Sequence, residues 1–271
     1  RSGSMQAEKR VTFLRYDNVS TMFLVSDDPV NEGREWVESS EDKSNRAKGS
    51  MALLAADGES VYDGKLTQIK GRGNSTWKGA KRPYQIKLDK KTDLLQTGDS
   101  ADKAKTWVLL ANFYDPSAVR NMLALDLGRA LQMECNMGYR PVCLFYDGEF
   151  RGLYLLTEKV EVNEGRVDVT DLEKANEMAN PDVEDLTKLE SKTGTTANGA
   201  TYLYCDGMND PADITGGYLL EMDFADRAME EKCYFITTRG FYVVVKSLEA
   251  CSKAEMDYIC LLYTSPSPRD A

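Results

Sequence analysis

The chain has 271 residues, 42% hydrophobic and 29% charged, which is typical of a globular protein large enough to bury a substantial core. Its 34 Lys and Arg against 44 Asp and Glu give a net charge of −10, which disfavours nucleic acid and anionic membranes and suits a basic protein partner. It contains no His, which excludes Ser-His-Asp and Cys-His catalysis and the histidine-containing zinc sites.

The sequence shows neither a membrane-spanning segment nor a cysteine motif typical of zinc or redox sites. No apolar run reaches the roughly 18 residues that a membrane helix needs, and no signal peptide is visible at the N-terminus. The six cysteines include no C-x-x-C pair, so zinc-ribbon and thioredoxin sites are excluded and scattered buried thiols are predicted.

Short strand-forming runs separated by turn signals predict an antiparallel meander in the first half of the chain. The first strand is expected at 21–25, after an N-terminal extension at 1–19. The pairs Asp57-Gly58 and Asp63-Gly64 supply the positive φ angles that tight hairpins require. Further strands are expected at 83–88 and 106–111.

One helix is predicted at about 115–132. Asp115 is a suitable N-cap and Pro116 suits the first helical position. Apolar residues then recur at three- and four-residue spacing and predict one buried stripe. They are Val119, Met122, Leu123, Leu127, Ala130 and Leu131.

The second half of the chain is predicted to contain a hairpin, a polar insert and two further strands. Asp147-Gly148 separates strand-like runs at 140–146 and 151–157. Residues 161–215 are rich in Asn, Asp, Thr and Gly and are expected to form a long excursion or a partly disordered insert. The two later strands are expected at 233–237 and 241–245.

The end of the chain differs in character from the rest. An amphipathic helix is predicted to begin near Glu249, and it runs into a Ser/Pro-rich string. Residues 260–271 resemble the in-frame translation of a sequencing adapter and are expected to be non-native, so that the genuine sequence would end near Ile259. The alternative is a native Ser/Pro linker.

The segment 70–77, Lys-Gly-Arg-Gly-Asn-Ser-Thr-Trp, is the first candidate for a binding site. Two glycines and three small polar residues between strands can turn several backbone N–H groups toward one anion. The alternative is a tight turn around a buried tryptophan. The candidate phosphate-binding residues are Arg72, Gly73, Asn74, Ser75, Thr76 and Trp77.

Lys87 lies on the next predicted strand. A phosphate-covering loop followed by a strand lysine is the arrangement of protein kinases, in which the lysine neutralises the phosphates. Glu158, at the end of an apolar strand, is the preferred carboxylate partner for Lys87, and Asp126 is the alternative. Without the loop, Lys87 would be interpreted as a solvated surface charge.

The segment 217–223 is an apolar strand that ends in spaced carboxylates. In a two-lobed kinase such a strand could border the adenine base, and the alternative is an ordinary core strand with solvated ends. The residues assigned to this border are Tyr218, Leu220, Glu221 and Asp223.

In content and order, these motifs resemble the CotH (spore coat protein H) kinase family over residues 20–259. They are Gly-Arg-Gly-Asn-Ser-Thr-Trp at 71–77, Lys-Arg-Pro-Tyr-Gln-Ile-Lys-Leu at 81–88, Trp-Val-Leu-Leu-Ala-Asn at 107–112 with Asp115 and Arg120-Asn121, the segment 148–158, and Gly-Gly-Tyr-Leu-Leu-Glu-Met-Asp at 216–223. The resemblance implies an α+β, atypical protein-kinase-like fold with an antiparallel, β-rich N-terminal part and an incomplete C-terminal lobe.

The resemblance also implies a function. The family transfers phosphate from ATP, with Mg²⁺, to serine or threonine of secreted or coat proteins, including basic, serine-rich ones. A secreted, cell-surface or spore-coat location in a bacterium would follow. The family's catalytic aspartates are expected downstream of Ile259, so no catalytic residue is assigned and the chain is predicted to be inactive. The alternatives are a non-catalytic adhesion or protein-binding module and a plain extracellular β-rich domain.

Overall fold

A computed structural model describes residues 18–98 and 102–264, and the chain divides into two compact units. Unit 1 extends through Glu161 and includes Gly165–Val167. Unit 2 comprises Val162–Glu164 and the chain from Asp168 onward. Of the predicted N-terminal extension, residues 1–17 lie outside the described residues.

Unit 1 is a closed barrel of seven strands. The strands are β1 (Ser20–Ser26), β2 (Arg46–Leu54), β3 (Ser60–Gly71), β4 (Tyr84–Thr92), β5 (Ala104–Leu110), β6 (Tyr139–Tyr146) and β7 (Glu149–Glu158). Their order is β1-β2-β3-β4-β5-β7-β6, and a parallel pairing of β6 with β1 closes the ring. The other neighbours pair antiparallel, as the turn signals predict.

Unit 1 also contains short helical segments between strands. They are α1 (Arg34–Ser39), a 3₁₀ turn (Ser75–Lys78) and α2 (Arg120–Ala130).

Two of the predicted hairpin turns are present in the structure, and a third is not. Asp147 (φ 48°) and Gly148 (φ 83°) turn β6 into β7, which confirms that hairpin. Gly58 (φ 91°) likewise lies in the turn between β2 and β3. The predicted turn at Asp63-Gly64 is wrong, because β3 continues through it. A Cβ at Gly64 would lie 2.7 Å from the hydroxyl of Tyr62, so this glycine permits close packing instead.

Side chains alternate between the inside and the outside of the barrel along each strand, and those that point inward form its core. On β4, Tyr84, Ile86 and Leu88 are fully buried inside the barrel, while Lys87 faces outward. The Tyr84 ring stacks on Tyr154, with 6.0 Å between ring centroids. The motif residue Tyr84 therefore belongs to the core.

The predicted helix at 115–132 is shorter and more exposed than expected. It begins at Arg120, because residues before it form a turn in which Ala118 has a φ of 58°. Gly128 is its buried residue, whereas Leu123 and Leu127 are 63% and 59% exposed. The predicted buried stripe is therefore wrong: local spacing creates an apolar face, but no other element of the described chain covers it.

Unit 2 is built on a five-stranded sheet of order β10-β12-β11-β9-β8. Its strands are β8 (Ser191–Thr195), β9 (Thr201–Cys205), β10 (Leu220–Asp223), β11 (Tyr234–Ile236) and β12 (Tyr242–Val245); its helical segments are α3 (Leu172–Ala179), a 3₁₀ turn (Leu186–Lys188), α4 (Ala225–Ala228) and α5 (Lys253–Thr264). The core includes Tyr202, Phe235 and Met256. The predicted insert at 161–215 contains regular elements, since it supplies α3 and two strands of this sheet.

All six cysteines lie in the described residues, whereas the last seven residues of the chain do not. Five cysteines are buried, as predicted, and Cys135 is exposed; no disulfide joins them. α5 continues through Cys260, which is fully buried, to Thr264. The rest of the predicted non-native tail, 265–271, lies outside the described residues.

The fold class is correct at the coarse level. The chain is strand-rich with few helices, which is compatible with α+β. In residues 18–98 and 102–264, however, the architecture is a closed barrel and a small sheet rather than a clear kinase-like fold. None of the helices in these ranges has the length and apolarity needed to cross a bilayer.

Candidate functional site

A pocket of about 230 Å³ opens in unit 1 where the loop after β3 meets the segment after β5. This Arg72 pocket gathers residues from three of the motifs singled out in the sequence. It is lined by Arg72, Thr76, Pro83, Leu110, Ala111, Asn112, Phe113, Tyr114, Asp115, Arg120 and Asn121.

The loop after β3 is built around a buried tryptophan. A Cβ at Gly71 would lie 2.4 Å from the Trp77 ring, and Gly73 has a φ of 79°, so both positions favour glycine. The Trp77 indole N–H donates to the carbonyl of Ser40 at 2.9 Å. The tight-turn interpretation is therefore correct for Trp77, whose side chain is a structural anchor of the loop.

Part of the loop's backbone is already hydrogen-bonded. The N–H groups of Trp77 and Gly79 donate to Asn74 and Thr76 carbonyls at 3.1 and 3.2 Å. An anion nest at Gly73–Ser75 stays a prediction. Of the loop residues proposed for phosphate binding, Arg72 and Thr76 line the pocket.

Of the charged side chains that line the pocket, Arg72 has the fewest ion-pair and hydrogen-bond partners among the described residues. Within residues 18–98 and 102–264, no carboxylate forms an ion pair with its guanidinium and no hydrogen bond from its side chain is found. Burial lowers the pKa of Arg72 from its ordinary value. A partly desolvated cation facing a cavity is suited to an anionic ligand.

The opposite wall is organised by Asp115. Its carboxylate accepts from the backbone N–H of Ser117 and of Arg120, at 3.1 and 2.8 Å, and so fixes the start of α2. The side-chain amide of Asn121 donates to Asn112 at 2.8 Å. Arg120 is 77% exposed and 3.7 Å from Asp115, so its guanidinium is only loosely held at the mouth of the pocket.

Lys87 does not line the Arg72 pocket. It is exposed on the outer face of β4, paired with Thr106 of β5. It lies about 13 Å along the strand from Pro83, at roughly 3.3 Å per residue. Strand alternation nevertheless puts Lys87 on the same outer face as Pro83 and Leu110, which form the pocket wall.

The predicted pairing of Lys87 with Glu158 is wrong. Register aligns Ile86 with Trp107 and Trp107 with Glu158, so Glu158 shares the inner face of the sheet while Lys87 faces outward. Glu158 lies 3.6 Å from Arg166 instead and accepts from the N–H of Gly138 at 2.7 Å. The alternative partner, Asp126, is also occupied, by Arg129 at 2.9 Å.

The family model for CotH kinase protein matches residues 69–207. The chain belongs to the CotH kinase family. The match begins just before the Arg72 loop and runs through β9, so it includes every residue lining that pocket. No curated protein matches the chain.

In this CotH family member, several pocket residues were not assigned a role from the sequence. Asn112, Arg120 and Asn121 were noted only as parts of motifs, and their signal was an Asp-Pro-Ser turn that precedes a helix starting with Arg-Asn. Lys81 belongs to the motif at 81–88, and the sequence assigned it no role of its own. It donates to the carbonyl of Leu153 and lies 4.5 Å from the centre of the Tyr154 ring, so it is part of the barrel wall.

The residues assigned to the adenine border all lie in unit 2, around β10. The Tyr218 hydroxyl donates to Ile214 at 2.8 Å, Leu220 packs on the unit 2 core, and Asp223 lies 3.5 Å from Arg227. Glu221 is exposed. A role for them in binding a base stays a prediction.

The metal ligands of the site were left open by the sequence. Among the described residues, no group of three or more Cys, Asp or Glu side chains is suited to hold a metal ion. Asp115, the carboxylate of the Arg72 pocket, is already engaged by Ser117 and Arg120. We therefore assign no step to Mg²⁺.

Titration of Glu158 gives a testable prediction about its role. Burial raises the pKa of Glu158 above its ordinary 4.5, while the Gly138 N–H and Arg166 oppose that rise. The folded state then binds the proton more tightly than the unfolded state, so this group's contribution to stability is full below pH 4.5 and is lost as the pH rises through the folded pKa. Relative to Glu158→Gln, the wild type should lose unfolding free energy as the pH rises above 4.5 in urea titrations. Parallel pH profiles would contradict the assignment.

Proposed function

We propose that the Arg72 pocket binds the phosphate groups of ATP, and that the chain is the ATP-binding portion of a CotH-like protein kinase acting on serine or threonine. The observation that carries this proposal is the guanidinium of Arg72, partly buried at the pocket wall and without a carboxylate partner among the described residues. A polyanion would supply the missing counter-charge.

The other wall residues suit the same ligand. The side-chain amides of Asn112 and Asn121 and the guanidinium of Arg120 all carry N–H groups that can donate to phosphate oxygens. The hydroxyl of Thr76 is a further donor.

The proposal concerns binding and orientation. Bound ATP would supply a transferable phosphoryl group, and the arginines would hold its charge and fix its position. We assign no catalytic residue to this chain, and ATP binding is the step that the proposal covers.

Calorimetric titration with ATP tests the proposal. Arg72→Gln should weaken binding about tenfold or more, which corresponds to about 1.4 kcal/mol per factor of ten. Arg46→Gln is the matched control, since Arg46 is an exposed arginine on β2 of the same unit, and it should change the affinity less than twofold. Lys87→Ala should weaken ATP binding less than Arg72→Gln does. Equal affinities of the two arginine variants, or no binding of ATP by the wild type at millimolar concentration, would refute the proposal.

A non-catalytic adhesion or protein-binding module is the second candidate. The observation that favours it is the exposed apolar face of α2, where Leu123, Leu127 and Leu131 are each about 60% exposed. Absence of ATP binding by a correctly folded wild type would favour this second function.

A further inference from the structure

Unit 2 contains a second cavity, of about 300 Å³, between α3, the segment that follows it and the residues before α5. Five carboxylates line this acidic pocket, and neither Lys nor Arg lines it. The carboxylates are Glu173, Glu177, Glu184, Asp185 and Glu249.

Four of these carboxylates have no ion-pair partner among the described residues, whereas Asp185 accepts from the backbone N–H of Thr187 at 3.0 Å. In the described part of the chain, the ion pair found for them joins Asp185 to Lys188 at 3.2 Å, and the Lys188 side chain is 78% exposed. Burial raises the pKa of Glu173, and the neighbouring charges of Glu249, Asp171 and Glu177 raise it further. The negative charge of the pocket is therefore concentrated and costly to the isolated unit.

A buried amide in the pocket wall provides an independent observation. Asn176 is 1% exposed, and its Nδ2 donates to both carboxylate oxygens of Glu255 at 3.0 Å. Glu255 does not line the pocket. The Oδ1 atom, on the other branch of the same amide, has no hydrogen-bond donor among the described residues. Buried acceptors of this kind are rare, and an unfilled one in a cavity wall indicates a missing donor.

We propose that the acidic pocket binds an organic cation that carries several N–H groups, that is, an ammonium or guanidinium group. Such a cation would offset part of the negative charge of the carboxylates and donate a hydrogen bond to Asn176, and a cation without N–H groups could not donate that bond. The cavity accommodates a ligand the size of an arginine side chain. Because these carboxylates do not form a metal-binding group among the described residues, a divalent ion is the poorer fit.

Titration calorimetry at low salt tests the proposal with two sources of the same group. Agmatine represents a free guanidinium compound, and N-acetyl-arginine amide represents a side chain presented by a polypeptide. We expect saturable binding of at least one of them, and binding at least about tenfold weaker for tetramethylammonium and for Mg²⁺.

Paired variants locate the site. Glu173→Gln with Glu177→Gln should weaken binding of the tighter ligand at least tenfold, because two pocket carboxylates are neutralised. Glu221→Gln with Glu230→Gln is the matched control, since both are exposed acids of unit 2 that do not line the pocket, and binding should change less than twofold. Unchanged thermal melting would show that both variants are folded.

The proposal is overturned if neither guanidinium compound binds below about 10 mM, if tetramethylammonium binds as tightly, or if both double variants lose affinity equally. It does not depend on nucleotide binding in unit 1. The arginine variants of the Arg72 pocket should leave agmatine binding unchanged, so failure of one proposal is distinguishable from failure of the other.

Discussion

Tyr84→Ala is expected to lower the free energy of unfolding of unit 1 by about 3–5 kcal/mol, the usual cost of deleting a buried aromatic ring. Tyr84 is fully buried and lies at the centre of an aromatic cluster. Its ring packs edge-on against Tyr146, with centroids 5.4 Å apart, and against Trp77 at 6.5 Å. Removal would leave a cavity at the point where the Arg72 loop leaves the barrel.

Urea unfolding followed by tryptophan fluorescence measures this effect, because all three tryptophans, Trp36, Trp77 and Trp107, lie in unit 1. Tyr84→Phe is the control. It keeps the ring and removes only the hydroxyl that donates to Glu38, so the expected loss is about 1–2 kcal/mol. A loss below about 1 kcal/mol for the alanine variant would show that the ring is not a major part of the core.

Arg166→Met is expected to cost about 3–5 kcal/mol, because it leaves the buried carboxylate of Glu158 without its cation. The Arg166 side chain is 2% exposed, and its guanidinium lies 4.6 Å from the centre of the Trp107 ring. It also donates to the carbonyls of Lys159 and Thr106, at 2.9 and 3.3 Å. The cost should fall as the pH is lowered toward 4.5, since the raised pKa of Glu158 favours the uncharged carboxyl there.

Arg129→Met is the matched control for the loss of an arginine ion pair. Arg129 pairs with Asp126 at 2.9 Å on the surface of α2, and both side chains are at least half exposed, so the cost should be below about 1 kcal/mol. Adding Glu158→Gln to Arg166→Met should recover part of the lost stability, because it removes the uncompensated charge. Equal losses for the two arginine variants would mean that the buried pair contributes no more than a surface pair.

The role of Lys87 shows why sequence reasoning failed at one point of the site. The order of the motifs and the glycine-rich loop suggested a lysine–glutamate pair. Which side chains of β4, β5 and β7 share a face of the sheet, however, depends on the register of these strands. Register aligns Trp107 with Glu158 and Thr106 with Lys87, so the two side chains project from opposite sides of the sheet. Glu158 faces Arg166 instead, a residue that no motif had singled out.

What the sequence by itself determined are the properties that depend on local chemistry: the Asp147-Gly148 hairpin, the strand expected at 83–88, the absence of histidine chemistry and membership of the CotH family. Only the tertiary structure decided which faces are covered and which distant groups meet. Closure of the barrel by β1 and β6 and the meeting of Arg72 with Arg120 and Asn121 each join segments far apart in the chain. The exposure of α2 reflects the lack of such a partner among the described residues. Local periodicity specifies that a face is apolar or that a loop is polar, but its partner is set by long-range packing, in which many weak contacts are summed over the whole unit.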